Sequence, residues 1–309
     1  MANGTREYHG AATRERGCPD VRISYHAGRG QRWERTLSTN GRILLVGFGN
    51  MGHALIRGWL GGGRDAASMR VVEPVESARI VARGLGVVAN ESVAAALAGF
   101  RPDVVVLAVK PNQMGSALAE CSNVVGATPV WLSIAAGKTI VSLSAGLGAK
   151  AAIVRAMPNT PAAIGKGMTA LVANAAVTAE QRTLCTDLMA AVGAVAWLDD
   201  ERQMDAVTAV SGSGPAYVFL LIECLERAAV DVGLAPALAR QLALATVSGA
   251  AAYAAVADAG PAELRRRVTS PNGTTQAALA VLMADDGFNG LMTRAVRAAA
   301  ERGRELSAA

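Results

Sequence analysis

Apolar positions follow different patterns in three parts of the chain. Residues 1–40 show neither a strand repeat nor a helix repeat, whereas residues 41–202 alternate between short continuous apolar runs and segments with helical spacing. A continuous apolar run is typical of a strand buried on both faces of a parallel sheet. From residue 203 to 309 the strands stop, and Gly and Pro separate long Ala- and Leu-rich segments. The pattern predicts the α/β class: a doubly wound sheet domain at 41–202 and an all-helical domain at 203–309.

Seven apolar runs are predicted as strands, at 42–47, 69–73, 103–109, 129–135, 151–157, 167–173 and 194–198. Helical spacing predicts helices at 51–60, 75–85, 91–98 and 180–192, and then within 213–233, 235–260, 267–282 and 285–306. The later helices are apolar around much of their circumference, so they need burial on several sides. We therefore predict a homodimer built through these helices; the alternative is one helix buried inside its own bundle.

Composition narrows the class of protein. Half of the residues are hydrophobic (51%) and only 18% are charged, which argues against a disordered chain. No uninterrupted apolar run reaches the ~18 to 20 residues of a membrane span, so the sequence predicts a soluble protein. The four cysteines, at 18, 121, 185 and 224, form no CxxC pair and no metal-like grouping, which favours a reducing, cytoplasmic setting and no metal site.

The net charge of +5 depends largely on the first segment. Residues 1–40 hold seven arginines and four acidic residues, and so account for +3 of it. The remaining +2 gives no reason to predict nucleic-acid binding. We interpret residues 1–40 as a disordered or artefactual extension; a functional tail is the alternative.

A glycine-rich stretch, VGFGNMGHA, connects the first predicted strand to the first predicted helix. Gly47 permits a tight turn, Gly49 lets a pyrophosphate approach the backbone, and Gly52 allows close packing of helix on strand. In this position GxGxxG predicts a Rossmann-type dinucleotide site, and a purely structural turn is the alternative. The predicted cofactor contacts here are Gly47, Phe48, Gly49, Asn50, Met51 and Gly52.

Two further loops are predicted to touch the cofactor. Glu73, at the end of MRVVEP, has the position of the acid that binds a ribose diol, which favours NADH over NADPH. Arg70 or Arg79 could offset that preference, and Glu73 could instead cap the next helix. The second loop follows a strand and comprises Ala108, Val109, Lys110 and Pro111; for the lysine, a solvated loop position is the alternative.

The sequence offers few proton donors of suitable pKa for reducing a ketone. His53, beside the glycine-rich stretch, is the one histidine after residue 40, and only four lysines follow that residue. An iminium carbon accepts hydride without such a donor, because the C=N bond already carries its proton and its positive charge. A hydroxyl that orients the nitrogen would suffice.

The stretch RVTSPNGTTQAAL supplies such hydroxyls at a helix start. Ser270 is a good N-cap and Pro271 suits the first helical position. The amides of Asn272, Gly273 and Thr274 would then be free to bind a carboxylate, with the Thr275 hydroxyl beside it. An ordinary capped helix is the alternative.

These features together resemble the pyrroline-5-carboxylate reductase family. The resemblance runs from about residue 42 to the C-terminus and is carried by GFGNMGHALIRG, LAVKPNQM, SIAAG, RAMPNTPAAIGKGMTAL, VSGSGPAYVFLLIE and VTSPNGTTQAAL. It implies a Rossmann domain followed by a helical dimerisation domain, with the substrate pocket at the subunit interface. It also implies reduction of 1-pyrroline-5-carboxylate to L-proline by NADPH or NADH, in the last step of proline biosynthesis. Dimers that assemble into a decamer are implied as well.

The resemblance assigns roles residue by residue. It makes Thr275 the hydroxyl beside the imine nitrogen and places Ser270, Gly273 and Thr274 in the loop around the substrate carboxylate. Asn272 departs from the family pattern, which usually has glycine there. The remaining implied contacts are Asn90 with the adenosine side of the cofactor, and Ala135, Ala136 and Asn159 with the nicotinamide and the reacting carbon.

The sequence alone leaves two other functions open. A β-hydroxyacid dehydrogenase shares the domain order but needs a lysine donor where this chain has Val218. A non-catalytic NAD(P)-binding protein would retain the fold without turnover.

Overall fold

The computed structural model describes residues 41–122 and 129–308. The predictions for residues 1–40 lie outside this part of the chain. Its strands are β1 (Ile43–Val46), β2 (Met69–Val72), β3 (Val88–Asn90), β4 (Val104–Leu107), β5 (Val130–Ser133), β6 (Ile153–Met157), β7 (Gly167–Ala173) and β8 (Gly193–Trp197). Its α-helices are α1 (Asn50–Gly61), α2 (Glu76–Gly84), α3 (Val93–Ala96), α4 (Met114–Ser122), α5 (Ile140–Leu147), α6 (Ala179–Ala190), α7 (Met204–Val207), α8 (Gly214–Asp231), α9 (Pro236–Val256), α10 (Pro261–Arg267), α11 (Thr274–Leu282) and α12 (Phe288–Ala308).

All eight described strands form one sheet in the order β3-β2-β1-β4-β5-β6-β7-β8. Neighbours are parallel except for β7, which is antiparallel to β6. Helices cover both faces, so the predicted doubly wound α/β domain is confirmed. After β3, at one edge of the sheet, the chain crosses to β4 on the other side of β1. Such a reversal of strand order is a switch point, where ligands bind.

Alternate residues of the central strands build two separate cores. On one face, Ile43 and Leu45 pack with α1 and α6, and the indole N–H of Trp59 on α1 donates to the Leu188 carbonyl of α6 at 2.8 Å. On the other face, Leu44 and Val46 pack with residues of α3, α4 and α5. Because both faces are covered, the strand sequences are continuously apolar rather than alternating.

Several short elements differ from the sequence-based prediction. The prediction omitted β3, α4, α5, α7 and α10, and α3 spans only Val93–Ala96 rather than 91–98. β3 has three residues at the sheet edge with Val88 exposed, so its apolar pattern is too short to be recognised. α10 lacks any buried residue, and its PAELRRR sequence has no apolar face to detect.

A distorted helical path joins the sheet to the helical part of the chain. α7 continues into a π-helical turn, Thr208–Gly212, and then into α8. Two contacts fix the start of this path: the carboxylate of Glu201 pairs with the buried Arg155 of β6 at 2.9 Å and accepts from the Ile140 amide of α5 at 2.9 Å. The terminal helix α12 returns to pack on α7 and on the π-helical turn.

The later helices leave much of their apolar surface uncovered. α8 has no buried residue, and α9 buries only Ala239 and Ala243. By length and composition alone, the helical run Glu201–Asp231 could cross a membrane, and only 6% of its most apolar stretch is buried. α9 and α10 together also pass this test, although they are bent by 119°. Such surfaces fit helices that bury one another between two chains equally well, and the sequence-based absence of a membrane span stays a prediction.

Candidate active site

Two of the three glycines in the glycine-rich turn leave no room for a side chain. Gly47 has φ +95°, and a Cβ there would lie 2.7 Å from the Ala108 carbonyl oxygen. A Cβ on Gly52 would lie 2.6 Å from the Gly47 carbonyl oxygen. Gly49 precedes α1 without any side-chain cap, and a Cβ on it would meet open space. The turn therefore presents free amides at a helix start, which is the arrangement that binds a pyrophosphate.

Glu73 holds this turn through its carboxylate. One oxygen accepts from the Phe48 amide at 2.8 Å and the other accepts from the Val75 amide at 3.0 Å. Each carboxylate oxygen has a lone pair to spare, so Glu73 can still accept from a ribose diol. Sequence reasoning did not foresee that Glu73 also fixes the glycine turn.

The two arginines that could have offset Glu73 are occupied. Arg79, which is only 8% exposed, donates to the carbonyls of Glu73 and Pro74, both at 2.7 Å, and to the Glu76 carboxylate. The guanidinium of Arg70 lies over the ring of Phe100, 4.8 Å from its centre. The pKa of the Glu76 carboxyl lies below its ordinary value because it accepts hydrogen bonds from Arg79 and Arg83. Neither Arg70 nor Arg79 is held as a phosphate-binding group would be.

Asn90 lies next to Glu73 across the edge of the sheet. Its carbonyl accepts from the Glu73 amide at 2.9 Å. Its side-chain oxygen is buried and has no hydrogen-bond partner within the described residues. A buried acceptor without a partner is costly unless a ligand or water supplies the donor, so Asn90 fits a contact with an adenosine.

The loop at 108–111, predicted to touch the cofactor, follows β4, and the loop with Ala135 and Ala136, predicted to border the nicotinamide, follows β5. The Ala108 amide donates to Val46 at 2.8 Å, and Pro111 begins a short turn behind the exposed Lys110. Ala135 is 4% exposed, so its methyl group faces the core, whereas the Ala136 side chain is exposed. With the glycine turn, Glu73 and Asn90, these loops line the carboxyl ends of the parallel strands, and the set fits a dinucleotide cofactor.

Asn159 is committed to the protein backbone. Its side-chain nitrogen donates to the Ser211 carbonyl at 3.0 Å, and its side-chain oxygen accepts from the Met168 amide at 2.9 Å. The side chain thus ties the MPNTP loop to the π-helical turn. The motif VSGSGPAY carries part of the family resemblance, but the sequence predicts no site role for a residue of this turn.

The hydroxyl-rich loop differs in detail from its prediction. Ser270 was expected to cap the helix, yet α11 begins at Thr274 and Gly273 is its N-cap. Residues 270–273 instead form a β-turn closed by the Gly273 amide on the Ser270 carbonyl at 3.1 Å. Pro271 takes the second position and Asn272, with φ +58°, the third, as in a type II turn. Turn chemistry therefore prevailed over the capping signal.

This change moves the free amides along the chain. The Gly273 amide is used in the turn, and the Asn272 amide donates to the Gln276 side chain at 2.5 Å. Of the three amides predicted to be free, only that of Thr274 remains so. In the described structure the amides of Thr274, Thr275 and Gln276 have no acceptor, so the set of free amides lies two residues later than predicted.

The helices on either side of the hydroxyl-rich loop make few contacts with the rest of the described residues. Neither α10 nor α11 packs extensively against the sheet or against another helix of the same chain. Among the described residues, no extensive packing therefore joins the helix of Thr275 to the glycine-rich turn. Around the site, His53 lies edge-on to Phe48, with 5.6 Å between ring centres, and no metal-like group of side chains occurs among the described residues.

Comparison with known proteins identifies the family. A family model described as pyrroline-5-carboxylate reductase dimerisation matches residues 201–306, and one described as NADP oxidoreductase, coenzyme F420-dependent, matches residues 42–146. A pyrroline-5-carboxylate reductase of Pseudomonas aeruginosa is 45% identical over 267 residues, which cover 86% of this chain and 97% of the relative. The chain belongs to the pyrroline-5-carboxylate reductase family.

Other members of the pyrroline-5-carboxylate reductase family agree in sequence and fold. The Haemophilus influenzae reductase is 39% identical, over 85% of this chain and 97% of its own. The solved Coxiella burnetii reductase aligns with a TM-score of 0.83 at 36% identity, over 87% of this chain and 99% of that one. A Plasmodium falciparum reductase solved with NADP bound gives a TM-score of 0.75 at 29% identity, over 87% and 98% of the two chains.

Membership in the reductase family decides between the functions left open by the sequence. It confirms the resemblance and the fold of a Rossmann domain followed by helices. The β-hydroxyacid dehydrogenase is excluded as a family, in keeping with Val218 at its expected lysine position. The helical part that matches the dimerisation model is also the part with uncovered apolar surface, which supports oligomer formation.

Proposed function

We propose that this protein reduces 1-pyrroline-5-carboxylate to L-proline with NADH or NADPH. The observation that carries the proposal is the 45% identity to the P. aeruginosa reductase over nearly its whole length. Two features of the structure support it: a glycine turn with free amides and a second set of free amides at the start of α11. The reaction itself needs no strong proton donor, and the sequence offers few.

Each residue set has a distinct task in this proposal. The glycine turn holds the pyrophosphate, and Glu73 with Asn90 holds the adenosine half of the cofactor. The amides of Thr274, Thr275 and Gln276 bind the substrate carboxylate. The Thr275 hydroxyl accepts from the iminium N–H and fixes the orientation of the C=N bond. The bound nicotinamide supplies the hydride; because the iminium nitrogen already carries its proton, the product amine needs no further proton donor.

We further propose that each active site combines residues of two subunits. The cofactor residues lie in the domain at 41–202 and the substrate residues in the domain at 203–309, and α11 lacks extensive contact with its own sheet. A homodimer would cover the apolar faces of α8 and α9 and bring α11 to the partner's cofactor. Assembly of such dimers into a decamer, and a cytoplasmic location, are further parts of the proposal.

A turnover assay tests the reaction. Purified protein is mixed with pyrroline-5-carboxylate and NADH or NADPH, while loss of the reduced cofactor's absorbance and formation of L-proline are followed. Proline formed in proportion to oxidised cofactor supports the proposal. Absence of turnover with both cofactors contradicts it.

Mixing two impaired variants tests the shared site. Gly49→Asp places a carboxylate at the pyrophosphate position, where the added side chain meets open space, and Thr275→Ala removes the hydroxyl. If sites are shared, subunit exchange restores roughly a quarter of wild-type activity, because half of the mixed dimer's sites are intact. A site confined to one chain gives no restoration.

A further inference from the structure

The buried hydroxyl of Ser211 is not used by any step of the proposed reaction. Ser211 lies in the π-helical turn Thr208–Gly212, and its Oγ is buried without a hydrogen-bond partner in the described structure. Most buried hydroxyls in proteins are hydrogen-bonded, and π-helical turns occur frequently at functional sites. The hydroxyl therefore needs a partner that the folded subunit does not itself supply.

Several contacts hold the π-helical turn in place. The Ser213 amide donates to the Thr208 carbonyl at 2.8 Å, which is the bond between residues five apart that defines a π-helical turn. The Tyr217 hydroxyl donates to the Ala209 carbonyl at 3.0 Å. The Ser211 carbonyl accepts from Asn159. A distorted turn held in this way by side chains from two elements presents the Ser211 hydroxyl in a fixed position.

The turn lies at the ligand-binding edge of the sheet. A Cβ on Gly212 would lie 2.6 Å from the Met157 methyl carbon, so the turn touches the last residue of β6. β6 runs parallel to β5, and the crevice at the carboxyl ends of such strands is where ligands bind. Ser211 is thus on the side of the crevice that is reached after β4 and β5, away from the glycine turn and Glu73.

The residues predicted to border the nicotinamide offer the cofactor little polar contact. Ala135 and Ala136 offer none, and Asn159 uses both ends of its amide on the backbone. The polar groups of the substrate are met by the α11 amides and Thr275 in the proposed function. The nicotinamide carboxamide, with one acceptor and one NH₂ group, is the remaining polar group at this end.

We propose that the Ser211 hydroxyl hydrogen-bonds the nicotinamide carboxamide and so sets the rotation of the ring toward the substrate. The proposal rests on the proposed function only for the identity of the cofactor. Ser211 then orients the cofactor directly, and Asn159 acts through it as a positioning residue. A purely structural π-helical turn would leave the hydroxyl without influence on the carboxamide.

Binding measurements on Ser211→Ala test this contact without turnover. Calorimetry compares NADH, ADP-ribose, which lacks the nicotinamide, and two reduced dinucleotides whose carboxamide is replaced by acetyl or by thioamide. The matched control is Ser213→Ala, the same change two residues on, at a hydroxyl that makes no capping bond.

One lost hydrogen bond corresponds to about a three- to tenfold weaker Kd. We expect the wild type to bind at least one of the two analogues with a Kd about three- to tenfold higher than that for NADH. Ser211→Ala should bind NADH and both analogues with similar affinity, and should bind ADP-ribose as the wild type does. Ser213→Ala should keep the wild-type pattern.

Two results would overturn the proposal. One is a Ser211→Ala protein that distinguishes NADH from the analogues as the wild type does. The other is weakened ADP-ribose binding in step with NADH, which would make the turn structural. Failure of the proposed reaction is a separate outcome, since wild-type protein that binds NADH but forms no proline leaves the carboxamide comparison intact.

Discussion

The carboxylate of Glu73 should set the cofactor preference, and Glu73→Gln should reverse or abolish it. In the wild type this carboxylate accepts from Phe48 and Val75 and keeps lone pairs for a ribose diol. A 2'-phosphate in the same place would meet a negative charge, with Arg79 held by Glu76 and by two carbonyls. We therefore expect the wild type to prefer NADH.

Two contributions determine the size of the effect. Hydrogen bonds to a charged group contribute ~1.5–3 kcal/mol against ~0.5–1.5 kcal/mol for neutral ones, so the glutamine should weaken NADH binding about five- to tenfold. A phosphate charge about 6 Å from the carboxylate is repelled by roughly 0.7–2.8 kcal/mol at effective dielectric constants of about 80 to 20, so its removal should improve NADPH use about tenfold. Together the ratio of kcat/KM values should move toward NADPH by about 10²-fold.

Side-by-side kinetics with both cofactors measure this ratio. Glu91→Gln is the matched control, because its carboxylate is exposed and lies 3.9 Å from the same arginine, Arg79. Exposed charges are screened by salt, so this control should leave the ratio nearly unchanged. The reasoning is refuted if the wild type clearly prefers NADPH, or if both variants shift the ratio equally.

Three further predictions concern the substrate loop and the buried thiols. Thr275→Ala should lower kcat about ten- to hundredfold, because a hydrogen bond to a charged group contributes ~1.5–3 kcal/mol, and Thr275→Ser should restore most of it. An unchanged kcat in the alanine variant would remove the catalytic role. Asn272→Ala should cost about 1 kcal/mol because alanine tolerates φ +58° less well, whereas Asn272→Gly should be neutral or stabilising in thermal unfolding; equal stabilities would contradict this. Burial raises the pKa of the Cys121 and Cys185 thiols to about 12, so both should resist alkylation at pH 8 until the protein unfolds. Mass spectrometry of alkylated native protein checks this, and rapid labelling of either thiol would contradict the prediction.

Local signals in the sequence were sufficient for most of the sheet. Each central strand is continuously apolar because both faces of the sheet are covered, and the glycine turn follows the first strand at the spacing that a pyrophosphate requires. The structure adds that Glu73 also fixes the turn through Phe48. That contact joins residues far apart in sequence, and no local pattern reveals it.

The substrate loop shows how two local rules can conflict. Ser270 followed by Pro271 satisfies the rule for a helix start, but Pro271 followed by Asn272 also satisfies the rule for a type II turn. The turn forms, and Gln276 takes the Asn272 amide, so the helix begins later and exposes later amides. The free amides therefore lie two residues later than the sequence predicts, because the choice between the rules depends on the hydrogen bonds made around the loop.

The uncovered helices and the incomplete site have the same physical cause. Within the part of the chain that the structure describes, apolar side chains of α8 face solvent and the first amides of α11 lack acceptors. Pairing of two chains can bury the first group, and a carboxylate held near the partner's cofactor can satisfy the second. Dimer formation and completion of the substrate site are then one event, so substrate binding should fail on dilution to the monomer while ADP-ribose binding, which needs only the sheet domain, persists.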